Sequence, residues 1–237
     1  MNLRAVLFDY GMVLSAPACP IAHRNLVQLF GASVDVFDRH YWANRHDYDA
    51  GLFDGESYWR KLASDAGTTL TLERIRKLIE TDVRMWSRIN APMVEWARSV
   101  GRAGFKTGML SNMCFELISA LERTFPWLEE FRYSTWSCRV RLAKPDPGIF
   151  RLALDKLQVR AEETLFIDDQ PENICAAEAA GISGIVFEDI PRLDADLDGL
   201  GLAPLLPKIV SRSGIPVSRE ADVDYRGLWD CDHQRTG

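Results

Sequence analysis

Three short apolar runs in this chain each end on a polar residue able to do chemistry. They are Ala5-Val6-Leu7-Phe8 before Asp9, Gly108-Met109-Leu110 before Ser111-Asn112, and Thr164-Leu165-Phe166-Ile167 before Asp168-Asp169. Runs of four or more apolar residues without polar alternation suit strands buried on both faces, as in a parallel sheet. In an open parallel sheet the carboxyl ends of the strands share one edge, where ligands bind. If these runs are neighbours, two carboxylate positions and a hydroxyl meet at one point. A fourth signal, Lys144-Pro145, would add an ammonium. That set suits a divalent cation and a phosphoryl group.

The rest of the chain supports such a sheet. After Asn90 the pattern alternates helix and strand. Asn90 is placed to cap a helix that presents Met93, Trp96, Ala97 and Val100 on one side and ends near Gly101. Strands are expected at 105–110, 131–136, 164–167 and 184–187, with helices at 114–123, from Asp146-Pro147, and from Pro171 to Gly181. This predicts an α/β fold with a Rossmann-like, doubly wound parallel sheet. Between Pro17 and Asn90 only helical patterns occur: 21–30 stopped by Gly31, 34–41, 56–66 stopped by Gly67, and 72–86. The organisation expected is a core of residues 1–16 and 91–207, an inserted all-α cap at 17–90, and a polar tail at 208–237. In the tail, Cys231-Asp232-His233 is too short a donor set to be read as a metal site.

Composition narrows the partners. The 28 basic and 34 acidic residues leave a net charge of -6, which asks for neither nucleic acid nor an anionic membrane. No apolar stretch reaches the roughly 18 residues of a membrane-spanning helix. Five scattered cysteines without a Cys-x-x-Cys pair suggest reduced thiols. With no room for a leader before the first strand, the expected location is the cytoplasm.

Together these residues resemble the haloacid dehalogenase superfamily, whose members are mostly magnesium-dependent phosphatases. The resemblance covers roughly Leu3 to Leu205. Its motifs are Phe8-Asp9, Leu110-Ser111-Asn112, Lys144-Pro145-Asp146 and, most specifically, Asp168-Asp169 through Asn173. Gly51-Leu52-Phe53-Asp54-Gly55-Glu56 resembles a cap turn of the branch similar to the soluble epoxide hydrolase phosphatase domain. The resemblance implies Asp9 as nucleophile and Mg²⁺ ligand, with the Gly11 carbonyl and Asp169 as further ligands and Asp168 acting through a water. Lys144 would steady Asp9 and the phosphoryl oxygens, and Ser111 would donate to one of them. Asn112 could bind substrate or cap a helix, and Asn173 could orient Lys144 or Asp169. The implied substrate is a small phosphorylated metabolite of unspecified identity, and the oligomeric state is left open.

One position departs from the resemblance. Most phosphatases of the superfamily carry a second Asp two residues after the nucleophile, as proton donor; here Gly11 stands in Asp9-Tyr10-Gly11-Met12-Val13. Candidates to replace it are His46, Asp47 and Asp49, although their polar stretch reads first as a solvated helix end. Gly11 also keeps open a binding or regulatory module that turns over little. Dehalogenation of a small acid is a further alternative, weakened by the acidic doublet that such chemistry does not need.

Overall fold

The computed structural model describes residues 2–209, so the tail beyond Ile209, with Cys231-Asp232-His233, lies outside the described residues. Five strands form one parallel sheet: β1 (Ala5–Phe8), β2 (Lys106–Ser111), β3 (Tyr133–Trp136), β4 (Thr164–Asp168) and β5 (Ser183–Val186). Their order is β3-β2-β1-β4-β5, with β1 at the centre. Phe8 is level with Met109 on one side and Ile167 on the other, so Asp9, Ser111 and Asp168 emerge at one edge. The fold is the doubly wound α/β arrangement expected.

Side chains alternate across the sheet, as strand geometry requires. Val6, Phe8, Met109, Leu165 and Ile167 enter one apolar core, while Ala5, Leu7, Leu110 and Phe166 enter another. The first core is covered by α5 (Ala91–Arg102), α6 (Phe115–Thr124) and α10 (Ile190–Gly199). The second is covered by α8 (Pro147–Leu157) and α9 (Pro171–Ala179), through Ile149, Phe150, Ala153, Leu157, Ile174 and Ala177. Asp146 caps α8 by accepting from the Gly148 N–H at 2.6 Å, and α9 begins on Pro171. Asn90 stands at the start of α5, but its side chain makes no capping bond, contrary to the expectation.

Residues 20–86 hold four further helices: α1 (Pro20–Phe30), α2 (Val34–Asp49), α3 (Gly55–Asp65) and α4 (Leu72–Trp86). Ser33, Asp54 and Thr71 cap α2, α3 and α4 through their side chains. Gly31 ends α1 in the left-handed conformation that glycine adopts without a side-chain clash. The helix expected at 34–41 runs eight residues further, to Asp49. Its second half buries Asn44, Arg45, Tyr48 and Asp49, and buried polar groups leave no apolar period to read. The short α7 (Ser137–Val140) and α10 also lack a long apolar stripe and are not foreseen. Among the described residues no helix is long and apolar enough to cross a membrane.

Candidate active site

Asp9 leaves β1 with its backbone N–H bonded to the Ile167 carbonyl at 2.9 Å, which locks the end of β1 to β4. The chain then turns sharply. Tyr10 N–H donates to Asp9 Oδ1 at 2.8 Å, and Met12 takes a positive φ of 58°, a conformation uncommon outside glycine. Lys144 comes from the loop before α8 and is almost wholly buried. Its Nζ lies 2.9 Å from Asp9 Oδ1 and 2.5 Å from Asp168 Oδ2, with the Phe166 ring beneath it at 5.4 Å.

Each of these groups is held by others. Asp168 Oδ1 accepts from the Gln170 N–H (2.8 Å) and from Asn173 Nδ2 (3.0 Å), so the amide of Asn173 reaches Asp168 rather than Lys144 or Asp169. Asn112 spends its amide on the Lys144 backbone, accepting from its N–H and donating to its carbonyl, both at 2.8 Å. That clamp fixes the lysine loop, which makes Asn112 a support for Lys144. Asp169 is half-buried and accepts from Gln170 Nε2 at 2.5 Å.

The charges do not balance. Asp9, Asp168 and Asp169 offer oxygens that all lie within 4.8 Å of one another, against the single ammonium of Lys144. Burial is the largest influence on Asp9 and pushes its carboxyl up to about 7; Lys144 opposes this, Asp168 adds to it, and the Ser111 hydroxyl lowers it. Burial and the neighbouring Asp168 also raise Asp169. Burial works against the charge on Lys144, but Asp9 and Asp168 outweigh it and hold the ammonium charged. Three hard oxygen donors short of positive charge fit a divalent cation such as Mg²⁺. Gly11 sits against this set: a Cβ built on it would lie 3.7 Å from Asp9 Oδ2.

A cavity of about 190 Å³ opens beside these residues. Tyr10, Gly11, Ser111, Asn112 and Asp169 line it from the sheet edge, and Trp42, Arg45, Asp49 and Trp86 line it from α2 and α4. A larger hollow of about 390 Å³ runs along β5 and α10 but shares no residue with the site, and chemistry rather than size marks the smaller one. The stretch Arg45–Asp49 is not uniformly solvated. His46 and Asp47 are exposed, whereas Arg45 and Asp49 are buried and face the cavity. Arg45, Trp42 and Trp86 have no assigned part in the motifs; the cue that was available is the four-residue spacing of Arg45 and Asp49 on one helix face.

A sequence profile of haloacid dehalogenase-like hydrolases matches residues 4–181. Bifunctional epoxide hydrolase 2 of Sus scrofa is 28% identical over 211 residues, which span 80% of this chain and 37% of that protein. Flavin mononucleotide hydrolase 1 of Arabidopsis thaliana is 35% identical over 165 residues, covering 69% of this chain and 64% of its own length. The chain therefore spans less than two thirds of either relative. Among solved structures, a HAD family enzyme of Bacteroides thetaiotaomicron, crystallised with magnesium and inorganic phosphate, superposes with a TM-score of 0.67 at 19% identity, over 81% of this chain and 98% of that one. At that identity the likeness is one of fold.

Proposed function

The chain belongs to the haloacid dehalogenase-like hydrolase family, and on that premise we propose that it is a magnesium-dependent phosphatase of small phosphate monoesters. The observation that carries this reading is the convergence of Asp9, Lys144, Asp168 and Asp169 at one sheet edge, where Lys144 pairs with Asp9 and Asp168 and three carboxylates outnumber one ammonium. A site short of positive charge beside a buried nucleophile suits a substrate delivered with a cation. Asp9, Asp169 and the Gly11 carbonyl would hold Mg²⁺, with Asp168 behind them. When bound, the ion would neutralise charge on the phosphoryl oxygens.

The chain's own residues then divide the work. Asp9 attacks phosphorus, the ester oxygen departs, and an aspartyl-phosphate is left for water to open, so that one hard displacement becomes two easier ones. Lys144 favours the ionised form of Asp9 and meets the phosphoryl oxygens as a point charge. Ser111 donates to one of those oxygens. Asn112 holds Lys144 from its backbone, while Asn173 and Gln170 fix Asp168, the partner that aims the ammonium. Helices α1–α4 act as the cap that screens the site from water. A cavity of about 190 Å³ favours a small leaving group. Among the described residues Cys114, Cys138 and Cys175 form no disulfide, which supports a reducing compartment such as the cytoplasm.

Gly11 favours a second reading, a module that keeps the fold and binds its ligand with little turnover. One assay separates the two: phosphate release from 4-nitrophenyl phosphate and a panel of phosphorylated metabolites, with Mg²⁺ and with chelator. The phosphatase reading expects metal-dependent release that Asp9→Asn abolishes. No release from any ester, or metal-independent dehalogenation of a 2-haloacid, would refute it.

A further inference from the structure

Gly11 carries no side chain, so position 11 offers no proton to a leaving oxygen, and the Tyr10 hydroxyl of the same turn is spent on the Trp86 carbonyl. The carboxyl groups on the cavity wall are Asp169, beside the nucleophile, and Asp49, on the opposite side. We infer that Asp49, the last residue of α2, is the general acid and base of the reaction. This rests on the phosphatase reading above. As Asp9 bonds to phosphorus and the P–O bond to the ester oxygen breaks, the Asp49 carboxyl gives its proton to that oxygen and the alcohol leaves. Water then attacks the aspartyl-phosphate and gives a proton to the Asp49 carboxylate. Inorganic phosphate departs, Asp9 is a carboxylate again, and Asp49 is reprotonated.

Placement is the first support. Ser137 is fully buried and bridges the two sides: the Met113 N–H donates to its Oγ at 2.8 Å, and that hydroxyl donates to the Asp49 carbonyl at 2.5 Å. Met113 follows directly on Ser111-Asn112, so the backbone of Asp49 is tied to the loop that carries the site. Two residues on, Gly51 adopts a φ of 75° and packs so closely that a Cβ would lie 2.6 Å from the Cys138 carbonyl. Asp49 is therefore sutured to the sheet edge. A cavity of about 190 Å³ lined from both sides is small enough for one small ester to touch both walls.

Charge is the second. Arg45 Nε reaches both oxygens of Asp49 (3.0 and 2.9 Å) while its Nη1 reaches both oxygens of Asp82 on α4 (3.1 and 3.0 Å). One guanidinium thus serves two buried carboxyl groups, and the cluster is neutral when one of them holds a proton. Asp82 accepts in addition from the Tyr41 hydroxyl at 2.6 Å, whereas among the described residues the Asp49 carboxyl oxygens have only the shared Nε–H. The proton accordingly belongs on Asp49. The groups that face it are Arg45 and His46 of α2, Asp82 of α4, Tyr58 of α3, and Cys114 and Cys138 from the sheet side. Burial is the strongest influence and pushes the carboxyl up to about 6, with Arg45 opposing it. A group that changes state near neutral pH can give a proton in one step and take one in the next. His46 and Asp47 are exposed and do not line the cavity, so they have no such part.

The test uses esters graded by leaving group, from 4-nitrophenyl phosphate to propyl phosphate, with Mg²⁺ and phosphate release as the readout. Wild type should show a shallow dependence on the leaving group. Asp49→Asn should lose roughly 10²- to 10⁴-fold in kcat/KM on propyl phosphate, the usual worth of a positioned proton, and far less on 4-nitrophenyl phosphate, whose leaving oxygen needs none. Position 11 has ordinary extended angles and an open neighbourhood, so Gly11→Asp can be added. That double variant should recover much of the propyl phosphate activity. An equal loss on both esters, or no loss on either, overturns the inference. Should Asp49→Asn not fold, the wild-type series decides alone, since a steep leaving-group dependence means that no acid is present. No release from any ester overturns the phosphatase reading and this inference together.

Discussion

Replacing Asp49 by asparagine should change how stability responds to pH, whatever the enzyme turns over. The unfolded chain releases the Asp49 proton near the ordinary 3.8, while burial in the native state holds it up to about 6. Well below 3.8 the group is protonated in both states. As pH rises through 4 to 6 the unfolded state loses the proton first and gains relative stability, so the native wild type weakens over that window. A displacement of about two units is worth on the order of 3 kcal/mol. Asparagine does not titrate, and its different bonding to Arg45 is a constant offset that cancels between pH values. The wild type should therefore lose roughly 2 kcal/mol of that relative to Asp49→Asn between pH 4 and pH 7, or about 4–8 °C in Tm for a chain of this size. Urea unfolding of both proteins across that range measures the difference directly. A gap that stays constant, or a wild type that gains on the variant as pH rises, would mean that Arg45 wins over burial and keeps Asp49 a permanent anion, unable to donate a proton.

Two further outcomes follow from the packing. Lys144→Met leaves the buried carboxylates of Asp9 and Asp168 without their cation, so the protein should lose about 3–5 kcal/mol in denaturant unfolding together with all phosphate release; adding Asp168→Asn should restore part of the stability and none of the activity. Gly51→Ala combines a left-handed backbone with a Cβ 2.6 Å from the Cys138 carbonyl, and should cost about 2 kcal/mol or more and cut propyl phosphate turnover more than 4-nitrophenyl phosphate turnover.

The sheet edge was legible because every strand involved is short and carries a buried apolar run, and each polar residue ends or directly follows that run. Asp9, Ser111 and Asp168 needed only the parallel pairing of β1, β2 and β4 to meet. Lys144 and Asn112 were visible as residues but not as a clamp, since nothing in a linear pattern shows an amide bonding backbone 32 positions away. The second half of α2 was hidden for a different reason. Arg45, Asp49 and Asp82 satisfy one another across two helices, and a polar group paired inside a fold looks in sequence like one facing water. Ser137 gave no signal either, being a lone hydroxyl in a four-residue helix whose value lies wholly in its two partners.

Moving the proton donor from the turn after β1 to the end of α2 changes what the helical segment does. An acid at position 11 would ride on the same turn as the nucleophile, and the helices above would only admit or exclude water. With Asp49 as the acid, proton transfer exists only while α2 is seated on the sheet edge. Ser137 on the Asp49 carbonyl and Glu116 of α6 accepting from the Tyr48 hydroxyl (2.9 Å) hold it there, while Glu116 also takes the Gly55 N–H of α3 (2.6 Å) and the Tyr10 hydroxyl bonds the Trp86 carbonyl of α4 (3.1 Å). The last of these starts from the residue next to the nucleophile. Seated there, α2 would do two things at once, drying the cavity so that the charges of Asp9 and Lys144 act at full strength and presenting the proton that an alkoxide must have to leave. An ester too large to let α2 seat would lose both, which makes the fit of the leaving group under Trp42 and Trp86 a condition of the chemistry as well as of binding.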